Sequence, residues 1–521
     1  MSELHNGTTF PAIGLAALRR YPHGIAFIHE GREITYREAL ARISQIAREL
    51  AARGLGPGDG VVNLCGNIPE AVFVGLAATA LGCRTSALHP LTSAADMAFI
   101  LEDSEAKALV FDGARFDDRV AEVAAAISRP ALLLSIGPSA QGEDLRAASE
   151  KQSSEPIKPV PTESDIASLT YSSGTTGQPK GVIQPHRCPA TMTMMSMPGW
   201  QLPTENFRYL AATPISHASI AFVLPAWING GTVVLQPGFD PEQFCAAIEQ
   251  YRITATFIVP TMLYVMLDQG VLAHHDLSSL ETVVYGAAPM SPSRLAEGLD
   301  RMGQVFVQMY GQAEAPATVT ALRKDEHDMS RPHLMASCGH PLPGIEVEVH
   351  DEDEQEVGDG EVGEICVRGR LVSDGYWKRP DLTAETYRNG WLHTGDMVRR
   401  DDEGYLYIVD RKKDMVITGG FNVFPREIED VLTAHPAVAM AAVIGVPDDR
   451  WGEAVKAIIV TRPGEEVAAE ELVALVHDKK GAVFAPKSVD FVDSLPLTGL
   501  GKPDKKALRS AFWAGEDRQV H

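Results

Sequence analysis

Six short apolar runs, at residues 61–65, 108–111, 131–135, 256–259, 282–285 and 305–309, recur between stretches of helical character. Runs this short, with little polar alternation, suit strands buried on both faces. Such strands occur in parallel sheets whose crossovers are helices. The expected class is therefore α/β with mainly parallel sheets. One helix can be placed from its start: Thr35 and Glu38 fit a capping box, followed by Leu40, Ile43, Ala47 and Leu50 at helical spacing. Glycines 54, 56, 58 and 60 then turn the chain into the first apolar run. The apolar stretch 71–83, between Glu70 and Arg84, is too short to span a bilayer and reads as a buried core helix.

A chain of 521 residues exceeds what one hydrophobic core usually holds. Residues 1–410 are expected to form a large N-terminal domain of several subdomains. The hundred or so residues beyond Asp410 suffice for one small α+β domain. Pro156, Pro159 and Pro161 mark a loop, and residues 351–363 form an acidic, turn-rich stretch. Gly358, Gly360 and Gly363 satisfy G-x-G-x-x-G in form only, since they run into the strand-like segment 364–368 instead of opening a helix. No Walker-type loop, serine-hydrolase elbow or HExxH zinc helix occurs.

A net charge of −23 opposes general binding to nucleic acid, and no such partner is expected. The six cysteines are scattered without a C-x-x-C pair, which favours a reducing compartment. The N-terminus lacks the basic start and apolar block of a signal peptide, so a cytoplasmic enzyme without a transmembrane segment is expected.

The string YSSGTTGQPKGV, beginning at Tyr171, is the most informative dozen residues. Gly174 and Gly177 let backbone N–H groups turn toward an anion; Ser172, Ser173, Thr175 and Thr176 add hydroxyls, and Lys180 adds a positive charge. Composition alone also fits a polar surface turn. The whole string, however, resembles the phosphate-binding loop of the acyl-adenylate-forming superfamily, which includes acyl-CoA synthetases, amino-acid adenylation domains and beetle luciferases. The resemblance runs from about residue 34 to about residue 509.

That resemblance implies roles for particular positions. Gly286, Ala287 and Ala288, in YGAAP, look like the adenine-binding turn. In the string QMYGQAE from Gln308 to Glu314, Tyr310 would stack on adenine and Gln308 would face its amino edge, with Met309 and Gly311 beside them. Glu314 and Thr175 would hold Mg²⁺. Asp396, closing WLHTGD, and Arg411 would bind ribose. Lys413 occupies the hinge position of a mobile C-terminal domain, residues 411–521. Lys502, in LPLTGLGK, matches the catalytic lysine. An ammonium there would offset the charge that builds as a carboxylate attacks the α-phosphate. Lys180 and Glu314 would share in catalysis.

The family usually carries Thr where this chain has Ala313. A lost hydroxyl donor is worth about 0.5–1.5 kcal/mol. No carboxylate lies between Arg208 and Phe239, which disfavours an α-amino acid as substrate. His217 matches an acyl-pocket position, open to a gating or a packing role. Ile220, Phe222, Val223 and Trp227 suit a hydrophobic acid, and Met309 would narrow the pocket. Gly419 and Gly420 resemble the segment lining a pantetheine channel. The implied activity is an ATP-dependent carboxylate–CoA ligase acting on a fatty, alicyclic or aryl acid through acyl-AMP. A carrier protein or an amine as acceptor, and a catalytically weakened nucleotide-binding protein, are the alternatives. ATP, Mg²⁺ and coenzyme A are the implied small-molecule partners, and a homodimer is compatible.

Overall fold

The computed structural model describes residues 7–129, 131–172, 178–418, 421–448, 450–497 and 503–513. The capping box forms: Thr35 Oγ1 accepts from the Glu38 N–H at 3.2 Å, and the Glu38 carboxylate accepts from the Thr35 N–H at 2.8 Å. It opens helix Tyr36–Ala52, whose buried stripe includes Leu40, Ile43, Ala47 and Leu50. That helix packs on Pro69–Ala80, the apolar core helix. Among the described residues no helix is long and apolar enough to cross a membrane.

Each of the six apolar runs falls mainly within a strand. Gly60–Leu64, Ala106–Asp112 and Leu132–Ile136 belong to a seven-stranded sheet, parallel except where Ile166–Ser172 turns back on Lys180–Pro185. Ala255–Ile258, Thr282–Tyr285 and Phe306–Gln312 lie side by side, parallel, in a nine-stranded sheet with antiparallel edges. A third sheet is antiparallel, with Ile345–His350, Val362–Gly369, Trp391–Arg400 and Leu406–Arg411 among its strands. The acidic glycine-rich stretch connects the first two of these. This excludes a dinucleotide loop there, which would have to lead into a helix.

Beyond Val416 the chain forms a small α+β unit around its own core. Strands Val416–Thr418, Val438–Asp448 and Gly452–Thr461 carry helices Pro425–Thr433 and Ala469–Lys480, and Ile428, Leu432, Val443, Val455 and Leu472 are buried between them. The architecture is thus α/β, with a large N-terminal domain of mainly parallel sheets and a smaller C-terminal one. Polar contacts close the seam between them: the Arg426 N–H donates to Asp410 Oδ2 at 3.1 Å, and Arg462 meets Glu297 at 3.3 Å.

Candidate active site

The three sheets of the large domain and the edge of the small one wall a cavity of about 2710 Å³. A pocket for one small ligand holds roughly 300–1,000 Å³, so there is room for more than one. Glu314 reaches its wall from a tight hairpin. Gln312 pairs with Ala315, leaving Ala313 and Glu314 as the turn. Gly311, just before, allows the close approach: a Cβ there would lie 2.4 Å from the Ala317 nitrogen.

Glu314 Oε1 accepts from the Tyr376 hydroxyl at 2.6 Å and pairs with Lys180 Nζ at 3.1 Å. Lys180 Nζ in turn donates to the Tyr376 oxygen at 2.8 Å. Burial, then the Glu314 charge, push the Tyr376 phenol far above its ordinary range, so it remains a donor. From the same strand as Lys180, Gln184 Nε2 donates to the Ala313 carbonyl at 2.7 Å. The seven- and nine-stranded sheets are stitched together at this point.

A second chain of contacts lies beside it. The Tyr310 hydroxyl donates to Asp396 Oδ2 at 2.7 Å, and Arg411 Nε donates to Oδ1 at 3.1 Å. Asp396 is buried, so two donors offset the desolvation of its charge. Gly286 makes space for the floor: its Cβ would meet the Met309 carbonyl oxygen at 2.6 Å and Met309 Cγ at 2.8 Å. Ala287 holds the left-handed φ of +65° in the same turn, an unusual conformation for a residue with a side chain. Gln308 Oε1 and Ser172 Oγ are buried on residues of the cavity wall with no hydrogen-bond partner among the described residues. Buried polar atoms are normally satisfied, so a ligand with an amino edge and polar oxygens fits here.

Two sequence profiles cover most of the chain: AMP-binding enzyme at residues 15–377 and AMP-binding enzyme C-terminal domain at residues 427–502. The chain belongs to the AMP-binding enzyme family. This AMP-binding enzyme is 45% identical over 533 residues to a medium/long-chain fatty-acid–CoA ligase of Mycobacterium tuberculosis, spanning 100% of this chain and 92% of that one. It is 37% identical to a feruloyl-CoA synthase of an Amycolatopsis species, over 95% and 97% of the two chains. The solved structure of an amide bond synthetase from Marinactinospora thermotolerans superimposes with a TM-score of 0.88 at 35% identity, over 96% of this chain and 100% of that one.

Away from these two chains of contacts, the cavity of this AMP-binding enzyme turns apolar. Ile220, Val223, Leu224 and Met192 line it with His217. Phe222 and Trp227 do not. Phe222 stacks on Tyr209 at 4.8 Å, and Trp227 packs against Phe27 at 5.3 Å, both wholly within the core. His217 Nδ1 lies 2.9 Å from Ser216 Oγ, and its ring meets His89 edge-on at 4.9 Å. Burial, reinforced by His89, pulls His217 down to about 4, so the ring is neutral at pH 7.

The small domain reaches the same cavity. Lys412–Asp414 form a short 3-10 turn, and Arg509 clamps it through Asp414 at 3.0 Å. Burial, then Arg411, lower the pKa of Lys413. Leu497 pairs with Pro503, and both line the cavity wall. Lys502 lies outside the described residues, as do Ser173, Gly174, Thr175, Thr176, Gly177, Gly419 and Gly420. Their neighbours Ser172, Gln178 and Ile417 line the cavity, and Thr418 pairs with Phe421 across positions 419 and 420.

Sequence reading missed Tyr376, Gln184 and His89. Tyr376 carried a signal, following Gly375, whose φ is +108° and whose Cβ would sit 2.4 Å from Thr383 Cγ2. A glycine so constrained, before two aromatics, marks a fixed backbone. Gln184 and His89 carried none.

Proposed function

We infer that this AMP-forming acid–thiol ligase uses one cavity for both halves of its reaction: acid and ATP give acyl-AMP and pyrophosphate, and coenzyme A then takes the acyl group and releases AMP. The observation that carries the reading is the pairing of two polar constellations across one cavity, Lys180–Glu314–Tyr376 and Asp396–Tyr310–Arg411, beside an apolar wall at His217. The first holds cation and carboxylate where polyphosphate would lie; the second presents a buried carboxylate suited to a diol.

In the first half-reaction a carboxylate oxygen attacks the α-phosphorus, and the bond to the pyrophosphate oxygen breaks. Lys180, relayed from Glu314, reaches phosphate, with Ser172, Ser173, Gly174, Thr175, Thr176 and Gly177 as the anion cradle. Lys502 spans carboxylate and α-phosphate and offsets their charge. Glu314 is a hard oxygen donor on the wall, hydrogen-bonded among the described residues through Oε1 alone. It fits Mg²⁺ together with Thr175, and that ion would supply positive charge to phosphate oxygens. Gln308 accepts the adenine amino group, Tyr310 stacks on the ring, Gly286, Ala287 and Ala288 back it, and Gly311 lets the hairpin pass. Asp396 and Arg411 take the ribose.

In the second half-reaction the thiol sulfur attacks the acyl carbon, the carbon–oxygen bond to AMP breaks, and the thiol proton leaves to solvent. The small domain, divided from the large one at 410/411, turns about Lys413 to bring Gly419 and Gly420 inward. His217, Met309 and the apolar wall select a hydrophobic acid, fatty, alicyclic or aryl. Buried, unpaired thiols support a cytoplasmic setting. A carrier-bound thiol and a homodimer remain compatible.

A second reading has an amine as acceptor, favoured by the likeness to the amide bond synthetase. ATP–pyrophosphate exchange over a panel of acids, followed by product masses with coenzyme A, with amines and with neither, separates the two. Acyl-CoA only with coenzyme A supports the ligase. Amide formation that outpaces thioester would replace it.

A further inference from the structure

Behind the ribose strand, on the antiparallel sheet, lies a cluster that the reaction does not use. Cys366 and His393 are direct partners across the strands Val362–Gly369 and Trp391–Arg400. Glu348 pairs with Cys366, and His350 with Glu364, on the other side. Alternate residues of a strand share a face. Glu348 and His350, and Glu364 and Cys366, are therefore two pairs projecting from the same side, with His393 opposite the cysteine.

His350, Cys366 and His393 are buried, and one ligand atom from each lies within 4.8 Å of the other two. Cys366 Sγ is 3.5 Å from His393 Nδ1, which is itself 3.4 Å from Glu364 Oε2. Around tetrahedral zinc, with bonds of about 2.0–2.3 Å, sulfur–nitrogen and nitrogen–oxygen edges come to roughly 3.3–3.6 Å. Glu348 Oε2 holds His350 Nε2 at 2.7 Å, the outer carboxylate contact that orients ligating imidazoles. His350 Nδ1, the ring atom not held by Glu348, is buried without a hydrogen-bond partner among the described residues. A purely structural cluster would be expected to satisfy such an atom.

We propose that His350, Cys366 and His393 bind one zinc-class divalent ion at this site, with the Glu364 carboxylate, which lies against His393, turning in as fourth ligand. Soft sulfur with imidazole selects zinc over magnesium, so the site is chemically separate from the hard-oxygen site at Glu314. Binding replaces the Cys366 thiol proton, which leaves to solvent, so occupancy rises with pH. Glu364 and His393 border the main cavity, which offers an entry path. Glu364 Oε1 accepts the Gly395 N–H at 2.7 Å, one residue before Asp396. The ion would therefore brace the turn that carries the ribose carboxylate.

The test uses the full chain, stripped by chelator and titrated with Co²⁺ and then Zn²⁺. The expected result is one equivalent of Co²⁺ with a thiolate-to-cobalt charge-transfer band and the visible bands of a tetrahedral ion, both removed by Zn²⁺. Cys366→Ser should lose the charge-transfer band, and His350→Leu should weaken Zn²⁺ at least tenfold in competition with a chromophoric chelator. Melting curves of the metal-free variants check folding. Absence of the charge-transfer band in the unaltered chain overturns the proposal whatever the variants do. A band that survives Cys366→Ser assigns the ion to another thiol and overturns it equally.

Discussion

The two sides of the cavity, the first proposed for nucleotide and the second for acid, are built on different physics. On the first side, two buried carboxylates are held in chains: Glu314 by Tyr376 and Lys180, and Asp396 by Tyr310 and Arg411. A buried charge is costly unless paired and hydrogen-bonded, so each position accepts few residue types. On the acid side Ile220, Leu224 and Met192 form a wall in which one apolar residue can replace another at modest cost. The first side should therefore break sharply on substitution, whereas the second should change its preference.

The largest expected effect is on the nucleotide side. Lys502→Ala should cut acid-dependent pyrophosphate exchange by about 3–5 kcal/mol in transition-state stabilisation, while thioester formation from synthetic acyl-adenylate persists. Near-normal exchange by this variant would remove Lys502 from the chemistry.

The next effect is on stability. His186 and His327 are enclosed, and burial pulls both down to about 4 from an ordinary 6.5. They are neutral in the fold, whereas the unfolded chain takes up protons first as pH falls. Stability should be intact above pH 6.5 and decline toward pH 4, by up to about 3 kcal/mol for each group. Urea unfolding across that range reads the slope. His327 Nε2 contacts the Tyr285 hydroxyl at 3.0 Å, just before the Gly286–Ala288 turn. His327→Gln should flatten the slope, and an unchanged slope would assign the decline to other groups.

Tyr376→Phe removes one hydrogen bond to Glu314 and one from Lys180. Adenylation kcat/KM should fall by about 1–2 kcal/mol, roughly tenfold, with the acid preference unchanged. A shifted acid preference would mean that the two sides are not separable. His217→Ala is the converse and the mildest: relative rates among acids should move several-fold, on the order of 1 kcal/mol, while KM for ATP stays put. Steady-state kinetics on three acids of different width decides it.

The same contrast explains what the sequence disclosed. The parallel strands were legible because doubly buried strands are continuous apolar runs, and Thr282–Tyr285 was placed to the residue. Lys180, Gln308, Tyr310, Glu314, Asp396 and Arg411, singled out from ordered strings of unusual residues, line one cavity. Phe222 and Trp227 were expected in the acid pocket with Ile220 and Val223, yet they lie in the core. Hydropathy cannot separate them, because a five-residue 3-10 turn at Ala218–Phe222 leading into helix Val223–Ile228 decides which side chains turn outward. Gln184 was missed for a similar reason. Its partner is the backbone carbonyl of Ala313, 129 residues away, and a carbonyl has no sequence signature. Ala313 holds that contact without the family's usual hydroxyl.

The central claim is that one cavity serves two half-reactions, and Gly420→Leu tests it most directly. In the proposed reaction pantetheine passes close to backbone at Gly420, where a side chain would obstruct it, and adenylation does not involve this segment. On a variant with unchanged melting temperature, pyrophosphate exchange and acyl-CoA release are measured side by side with one acid. The account predicts normal exchange and sharply slowed release. Normal release would contradict it and send the acceptor elsewhere.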